Sequence, residues 1–504
     1  MNEKIATLLA ASTLIGSGVC AFAEVSQEEL DAISTPNVVE TSIGTLEFID
    51  GAPLPETSKI VYDYLDTMRG VDTFLKGIPA ASLYAIVHGT ESLGAVEAHQ
   101  IVIFDEMAGP AQIGLTYNNT TMYIFPTTDL ERDGPTVVEI PAGALGALND
   151  AYFRYAGDVG PAGQDKGEGG KYLILPPGYE GAVPEDYFVL RPRTYKNWLL
   201  LRFSIADGME EAAAYIKENL KMYPLSMADN QPEMEFISGS AEAWNTVHAN
   251  NFEFYNELNE VIQKEPIDFI DPETRGLFAS IGMQKGKPFD PDPRMRAILD
   301  DAVAIGNAAA RSIVWYPRVD GTLDGLPVFP DRRYTTGFND KDVFFDGEDN
   351  FTMNTDARVA FHYGYTVVTP AMANPQPGTG SDYGVAYLDS DGQPLDGSKT
   401  YKVTLPPNPP ANNFWAYTVY DPQTRSMLQT DQPAPSLDSI QRDPDVNVDG
   451  TIDVWFAPEA PEGKEANWIQ TIPGKGWFTA LRLYGPLEPW FDQTWKPGDI
   501  ELID

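Results

Sequence analysis

The chain has 504 residues, 43% of them hydrophobic and 11% aromatic, which is material for two or three cored domains and excludes a disordered chain. Lys and Arg number 34 against 74 Asp and Glu, a formal charge of -40. Neither nucleic acid nor an anionic membrane surface is therefore an expected partner, because phosphate binding needs a basic face; the charge suits solubility in salt or, second, the binding of cations.

The first 23 residues read as a signal peptide. Lys4 precedes an apolar run from Ile5 to Ile15, and Ala21 and Ala23 occupy the small-residue positions of a cleavage site. Cleavage is expected near Ala23, which makes the mature protein periplasmic or secreted. Cys20 is the only cysteine and lies in this segment. The mature chain is then cysteine-free, which excludes disulfides, thiol catalysis and Cys-ligated metals. No later stretch has the roughly 20 apolar residues of a membrane helix.

Ser26 to Pro36 reads as a short lead, helical or disordered. Ile60, Tyr64, Met68 and Val71 recur at helical spacing in a segment from Glu56 to Ile78, and "AASLYAIVHGTESLG" reads as a second helix. From His99 the pattern becomes strands with turns at Gly, Pro and Asn. Asp207 N-caps a helix that stops before Pro224. Two more helical patterns, "AEAWNTVHANNFEFYNELNEVIQKEP" and "PDPRMRAILDDAVAIGNAAARSIVW", follow. Residues 207–320 are thus expected as a helical block between residues 24–206 and 321–504, both rich in strands. The fold class is mixed α and β and multi-domain.

The two strand-rich halves read as copies. Each has a strand, an acidic turn, a strand ending in Pro (Pro141, Pro406), an aromatic strand, and an apolar strand closed by Pro and Gly. Each then has a strand with Trp and Arg: Trp198 with Arg202, and Trp477 with Arg482. Phe414 to Tyr420 is expected to copy Ala151 to Ala156. Two β-sandwich-like domains made by internal duplication are the natural product.

"LTYNNTTMY" (Leu115 to Tyr123), "GGKYLI" (Gly169 to Ile174), "DGLPVFPDRRYTTGF", "FWAYTVYDPQTRSMLQTDQ" and "GKGWFTALRLYGPLEPWFD" resemble a family of exported, mainly bacterial proteins that pair two domains of unknown function. The resemblance implies an immunoglobulin-like first sandwich, a helical insert and a jelly-roll second domain, and no activity. Where the family has Asp in "NNDT", this chain has Thr120, so no acid role carries over to that position.

The four histidines, His88, His99, His248 and His362, form no H-x-x-x-H or H-x-H pair. His88 and His248 fall in helical patterns and read as partly buried. No phosphate-cradling Gly motif and no G-x-S-x-G are present, so no cofactor is expected. "DVNVDGTID" aligns Asp445, Asn447, Asp449 and Asp453 like the start of a calcium loop. It reads first as a hairpin turn and second as a metal site, because its twelfth position is Phe456.

The arginines Arg332, Arg333, Arg425, Arg482, Arg191 and Arg193 either pair with local carboxylates or fork onto an anionic ligand. Six tryptophans after Phe414 either stack on sugars or fill a core, and core is the expected role. The leading expectation is an exported binding protein that takes a glycan or a small polar or anionic ligand in an inter-domain cleft. Asn118, Asn119, Tyr123, Arg332, Arg333, Tyr334, Asp421 and Arg425 are its expected contacts. The alternatives are a hydrolase or lyase using carboxylate, Tyr and Arg groups, and an envelope or assembly protein, which implies an oligomer.

Overall fold

The computed structural model describes residues 25–318, 328–338, 341–346 and 352–503. The expected signal peptide with Cys20, its cleavage site and the expected boundary at residue 320 lie outside these. The chain divides between Leu65 and Asp66 into two compact units. The first holds a short helix, Gln27–Ile33, closed by a capping box in which Ser26 and Glu29 satisfy each other's backbone N–H. A strand pair follows, Val38–Thr41 against Gly44–Ile49. The hydroxyl of Thr57 accepts from the Glu47 N–H (2.7 Å) and donates back to its carbonyl (3.0 Å).

One helix, Pro55–Ser92, replaces the two expected between Glu56 and Gly94. Pro79 sits inside it. Proline removes one helical hydrogen bond, but Phe74, Ile78, Ala80 and Ala81 around it are fully buried, and that burial offsets the loss. Residues 207–320 are not all helical. Met209–Asn219, Glu253–Lys264, Pro272–Ser280 and Pro293–Trp315 are helices, but Lys221–Pro224, Glu235–Ser238 and Trp244–Asn245 are strands. The stretch from Ser240 to Phe252 therefore does not start a helix, although its composition suits one.

The second unit contains two pairs of sheets with one strand order. In the first half the larger sheet runs Tyr155–Val159, Leu145–Asp150, Lys196–Phe203, Met122–Phe125, Gln100–Ile103. In the second it runs Ser436–Asp438, Ala411–Tyr420, Gly476–Pro486, Ser381–Ala386, Tyr334–Thr335. The smaller sheets match too: Phe188–Leu190, Gly170–Ile174, Thr136–Ile140, Lys221–Pro224 against Trp468–Gln470, Ile452–Ala457, Tyr401–Leu405, Glu501–Leu502. In each smaller sheet the first pair is parallel and the others antiparallel. The first half adds an edge strand, Glu235–Ser238, parallel to Gln100–Ile103.

Duplication is thus visible as topology, and it corrects one detail. Ala411–Tyr420 corresponds to Leu145–Asp150, not to Ala151–Ala156, because those are the strands that pair with the two arginine strands.

Period-2 alternation gives each larger sheet two apolar faces. Leu199 and Leu201 face the first sandwich interior with Met122, Ile124, Val138 and Ile174. Leu481 and Leu483 do the same in the second, with Val403, Val454 and Phe456. The opposite faces, carrying Tyr123, Phe125, Trp198 and Leu200 from one half and Val385, Tyr387, Phe478 and Ala480 from the other, share a third core with the helices. Each large side chain fully buried there contributes about 1.5–3 kcal/mol. This middle layer joins the halves and holds the site.

Candidate functional site

Alternation that sends Leu199 and Leu201 into the sandwich sends Trp198, Leu200 and Arg202 into the middle layer. Arg202 lies opposite Tyr123 on the neighbouring strand. In the second half Arg482 lies opposite Tyr383 by the same pairing of equivalent strands. Matched on these pairs, Trp198 corresponds to Phe478, so the sequence alignment of Trp198 with Trp477 is off by one residue. Trp477 stacks on Phe456 at 4.6 Å inside the second sandwich.

The two Tyr–Arg pairs line one cavity of about 60 Å³, together with Asn118, Thr116, Tyr365 and Asp382. That is about the volume of two waters, or of one small anionic group.

The arginines are seated differently. Arg482 is buried; its Nη1 donates to Tyr420 Oη at 2.5 Å and its Nη2 to the Thr116 carbonyl at 2.6 Å. Its guanidinium lies 5.4 Å from the Tyr383 and Tyr420 ring centres. Arg202 is half-buried, and Tyr383 and Tyr484 of the opposite half bear on it electrostatically. Asn118 Nδ2 donates to Tyr123 Oη at 2.6 Å, while Asn118 Oδ1 accepts from the backbone N–H of Thr120 and Thr121.

Burial pushes the Tyr123, Tyr420 and Tyr484 hydroxyls up from their ordinary range, and Tyr365 to about 12. At neutral pH these rings are uncharged. Among the described residues no carboxylate lies within ion-pair distance of Arg202 or Arg482, and the groups that accept from Arg482 are neutral. The cavity's one acid is Asp382, whose carboxyl burial raises; a bond from Trp490 Nε1 (2.9 Å) partly opposes this.

Leu115 to Thr121 is the seam between halves. Thr116 N–H donates to the Arg425 carbonyl, Tyr420 Oη to the Tyr117 carbonyl, Asn119 Nδ2 to Ser436 Oγ and Thr120 Oγ1 to Tyr484 Oη. Thr116 and Val367 line the cavity with left-handed backbones (φ 49° and 70°). For a β-branched residue that conformation is a true outlier. It is held on one side by Asn149, which bonds both the N–H and the carbonyl of Val368.

Of the residues expected from sequence, Asn118 and Tyr123 line the cavity, and Asn119 sits on the seam beside it. Arg332 instead bonds Asp331 and the Pro497 carbonyl, and Arg333 lies against Gly392 with its N–H on Asp499. Tyr334 is in the second sandwich core, bonded to Tyr417 Oη and the Gly498 carbonyl. Adjacent positions on a strand start point apart, so "RRY" makes no joint site.

Asp421 accepts from the Gln423 N–H and pairs with Lys475. Arg425 is buried, with Nε on the Tyr363 carbonyl, Nη1 on the Gln423 carbonyl and its plane 4.2 Å over the Tyr363 ring; burial lowers it to about 10. The Asp421–Arg425 loop therefore closes on itself and on the Tyr363 helix end. Arg191 and Arg193 are exposed.

Asp449 accepts from the N–H and hydroxyl of Thr451, Asn447 bonds Thr451, and Asp453 accepts from Thr404 and lies 3.7 Å from Lys402. With Asp445 N–H on Asn467, the segment is a turn. Among the described residues no three His, Cys, Asp or Glu converge as metal ligands. His88 is exposed rather than partly buried and stacks on Tyr84 at 5.5 Å; His248 is buried, in a turn and not a helix. No described helix is long and apolar enough to cross a membrane.

Arg202, Tyr383 and Asp382 were not singled out as ligands from sequence. The available signal was the repeat: an arginine at the same place in both copies, each facing a tyrosine, is more than a sandwich core requires.

Residues 99–224 match the model of a protein family of unknown function, DUF1254, and residues 380–488 match that of a second, DUF1214. The arginines fall in one matched segment each. No curated protein matches. The crystal structure of the VPA0106 protein from Vibrio parahaemolyticus is similar at a TM-score of 0.50 and 16% identity, over 87% of this chain and 100% of that one, which shows a shared fold. A putative uncharacterized protein from Burkholderia cenocepacia is similar at a TM-score of 0.39 and 13% identity, over 88% of this chain and 96% of that one.

Proposed function

We propose that this chain, which pairs a DUF1254 and a DUF1214 domain in one polypeptide, binds a small carboxylate-bearing ligand between its two halves. The observation that carries this reading is the convergence of Arg202 and Arg482 on one cavity with no carboxylate at ion-pair distance among the described residues. A buried unpaired charge is costly, whereas a guanidinium presents donors matched to a planar carboxylate. Tyr123, Tyr383 and Asn118 add polar groups at the same point. The test is calorimetry of the full chain with acetate and with acetamide, which has the same shape and no charge. Acetate is expected to bind and acetamide not; failure of acetate and of every other small carboxylate to bind sinks the reading.

A second reading, acid–base turnover of such a ligand, is favoured by Asp382 alone, a carboxyl held protonated to higher pH in the same cavity. It predicts that bound acids are consumed and that Asp382→Asn stops this without stopping binding. Export belongs to either reading, and N-terminal sequencing of the protein made in a bacterium is expected to begin after Ala23.

A further inference from the structure

The arginine cavity is too small for a whole metabolite, so the rest of the ligand must lie elsewhere. A second chamber of about 420 Å³ adjoins it, within the size range of small-molecule sites. The two share a wall made of Leu200, Arg202, Val367 and Met372. Arg202 is the only charged group on that wall and touches both spaces.

The second chamber is lined mainly by apolar side chains, among them Leu145, Ala147, Val159 and Pro375. Several of its polar side chains already have partners. Asp158 accepts from Thr369 Oγ1 at 2.7 Å, Gln376 Nε2 donates to the Asn374 carbonyl, Thr379 Oγ1 to the Gln376 carbonyl, and Ser381 Oγ bonds Tyr383 Oη. A glycan needs free donors and acceptors along its length, and this lining has few to offer. An alkyl chain needs none. Pro161, Ala162, Ala371 and Thr379 are exposed on the chamber's rim, which gives a chain-shaped ligand a way in.

We infer that the ligand is an aliphatic monocarboxylic acid, its carboxylate between Arg202 and Arg482 and its hydrocarbon chain in the Leu145–Pro375 chamber. This rests on the carboxylate reading above and narrows it to one chemical class. A sugar acid or a compact dicarboxylate is disfavoured by the same lining.

The experiment is calorimetry of the full chain at pH 8 with acetate, butanoate, hexanoate, octanoate and decanoate, and with octanol as the uncharged control. Affinity is expected to rise about fourfold per added methylene, equivalent to about 0.8 kcal/mol each, until the chamber is full. Octanol is expected to bind far more weakly than octanoate. Ala371→Trp, at the exposed rim, is expected to flatten the series while acetate binding stays as it was. Acetate binding with no dependence on length overturns the chain inference and leaves the carboxylate reading standing. Octanol matching octanoate overturns the carboxylate reading and leaves only an apolar chamber. No binding of any acid overturns both. The wild-type series decides these outcomes whether or not the Trp variant folds.

Discussion

The two halves repeat one strand order and one Tyr–Arg pair, yet they treat the arginine differently. In the second half Arg482 is buried and two of its nitrogens are committed to Tyr420 and Thr116. In the first, Arg202 is half-buried, borders both chambers and leans on a tyrosine of the other half. Duplication alone would leave two identical seats. On the binding reading proposed above, the difference assigns Arg482 to the frame of the cavity as well as its charge, and Arg202 to the ligand.

That assignment breaks first at Arg482. Arg482→Met leaves the Thr116 carbonyl without its charged donor at the seam, and a loss of about 2–3 kcal/mol in urea unfolding is expected together with loss of acetate binding. Arg202→Met should separate the two effects. Binding falls about thirtyfold or more, as for a truncated charge partner, while the unfolding midpoint holds or rises because a poorly compensated charge is gone. If Arg202→Met destabilises as much as Arg482→Met, the seats are equivalent and the comparison fails.

A third asymmetry lies at the start of the arginine strands. Glu265, 1% exposed, accepts from the N–H of Tyr195 and Lys196 at the head of the first; the head of the second has no such carboxylate among the described residues. Burial lifts the Glu265 carboxyl from 4.5 to about 7 against the pull of those two N–H groups. The folded state therefore holds this proton longer than the unfolded chain does. Its contribution is full below about pH 4.5 and is lost as pH rises through 7, on the order of 3 kcal/mol. Glu265→Gln is expected to flatten that part of the unfolding midpoint's pH profile. The smallest expected effect is at Asp382. Asp382→Asn removes the only acid among the described residues that line the cavity and should tighten acetate binding a few-fold at a pH where that acid is ionised; weaker binding would mean that Asp382 itself orders the guanidiniums.

Much of the architecture was legible because it rests on periodicity. Strand alternation and the repeated Pro-terminated strands announced a duplication that the strand orders display. The site was legible only in part. Asn118 and Tyr123 stood out as polar side chains in a segment that resembles the family. Arg332, Arg333 and Tyr334 stood out for being adjacent in sequence, but neighbours on a strand diverge. Asp421 and Arg425 stood out as charged groups in another such segment, but their loop is spent on closing itself. Tyr383 and Asp382 could not be found without knowing that Gly476–Pro486 pairs with Ser381–Ala386 across nearly a hundred residues. Helix limits erred where tertiary pairing prevailed over local preference, as at Glu235–Ser238, which completes a sheet edge.

The crossing of the two pairs has a historical consequence. Arg202 reaches Tyr383, and Arg482 bears electrostatically on Tyr123, so each pair serves the other's half. Reciprocal contact of this kind is the signature of an isologous dimer, here contained in one polypeptide. An ancestor of half the length would have met a second copy of itself at this point and offered any guest two identical hands. In such a history fusion releases the copies from that identity and leaves one hand free to let go.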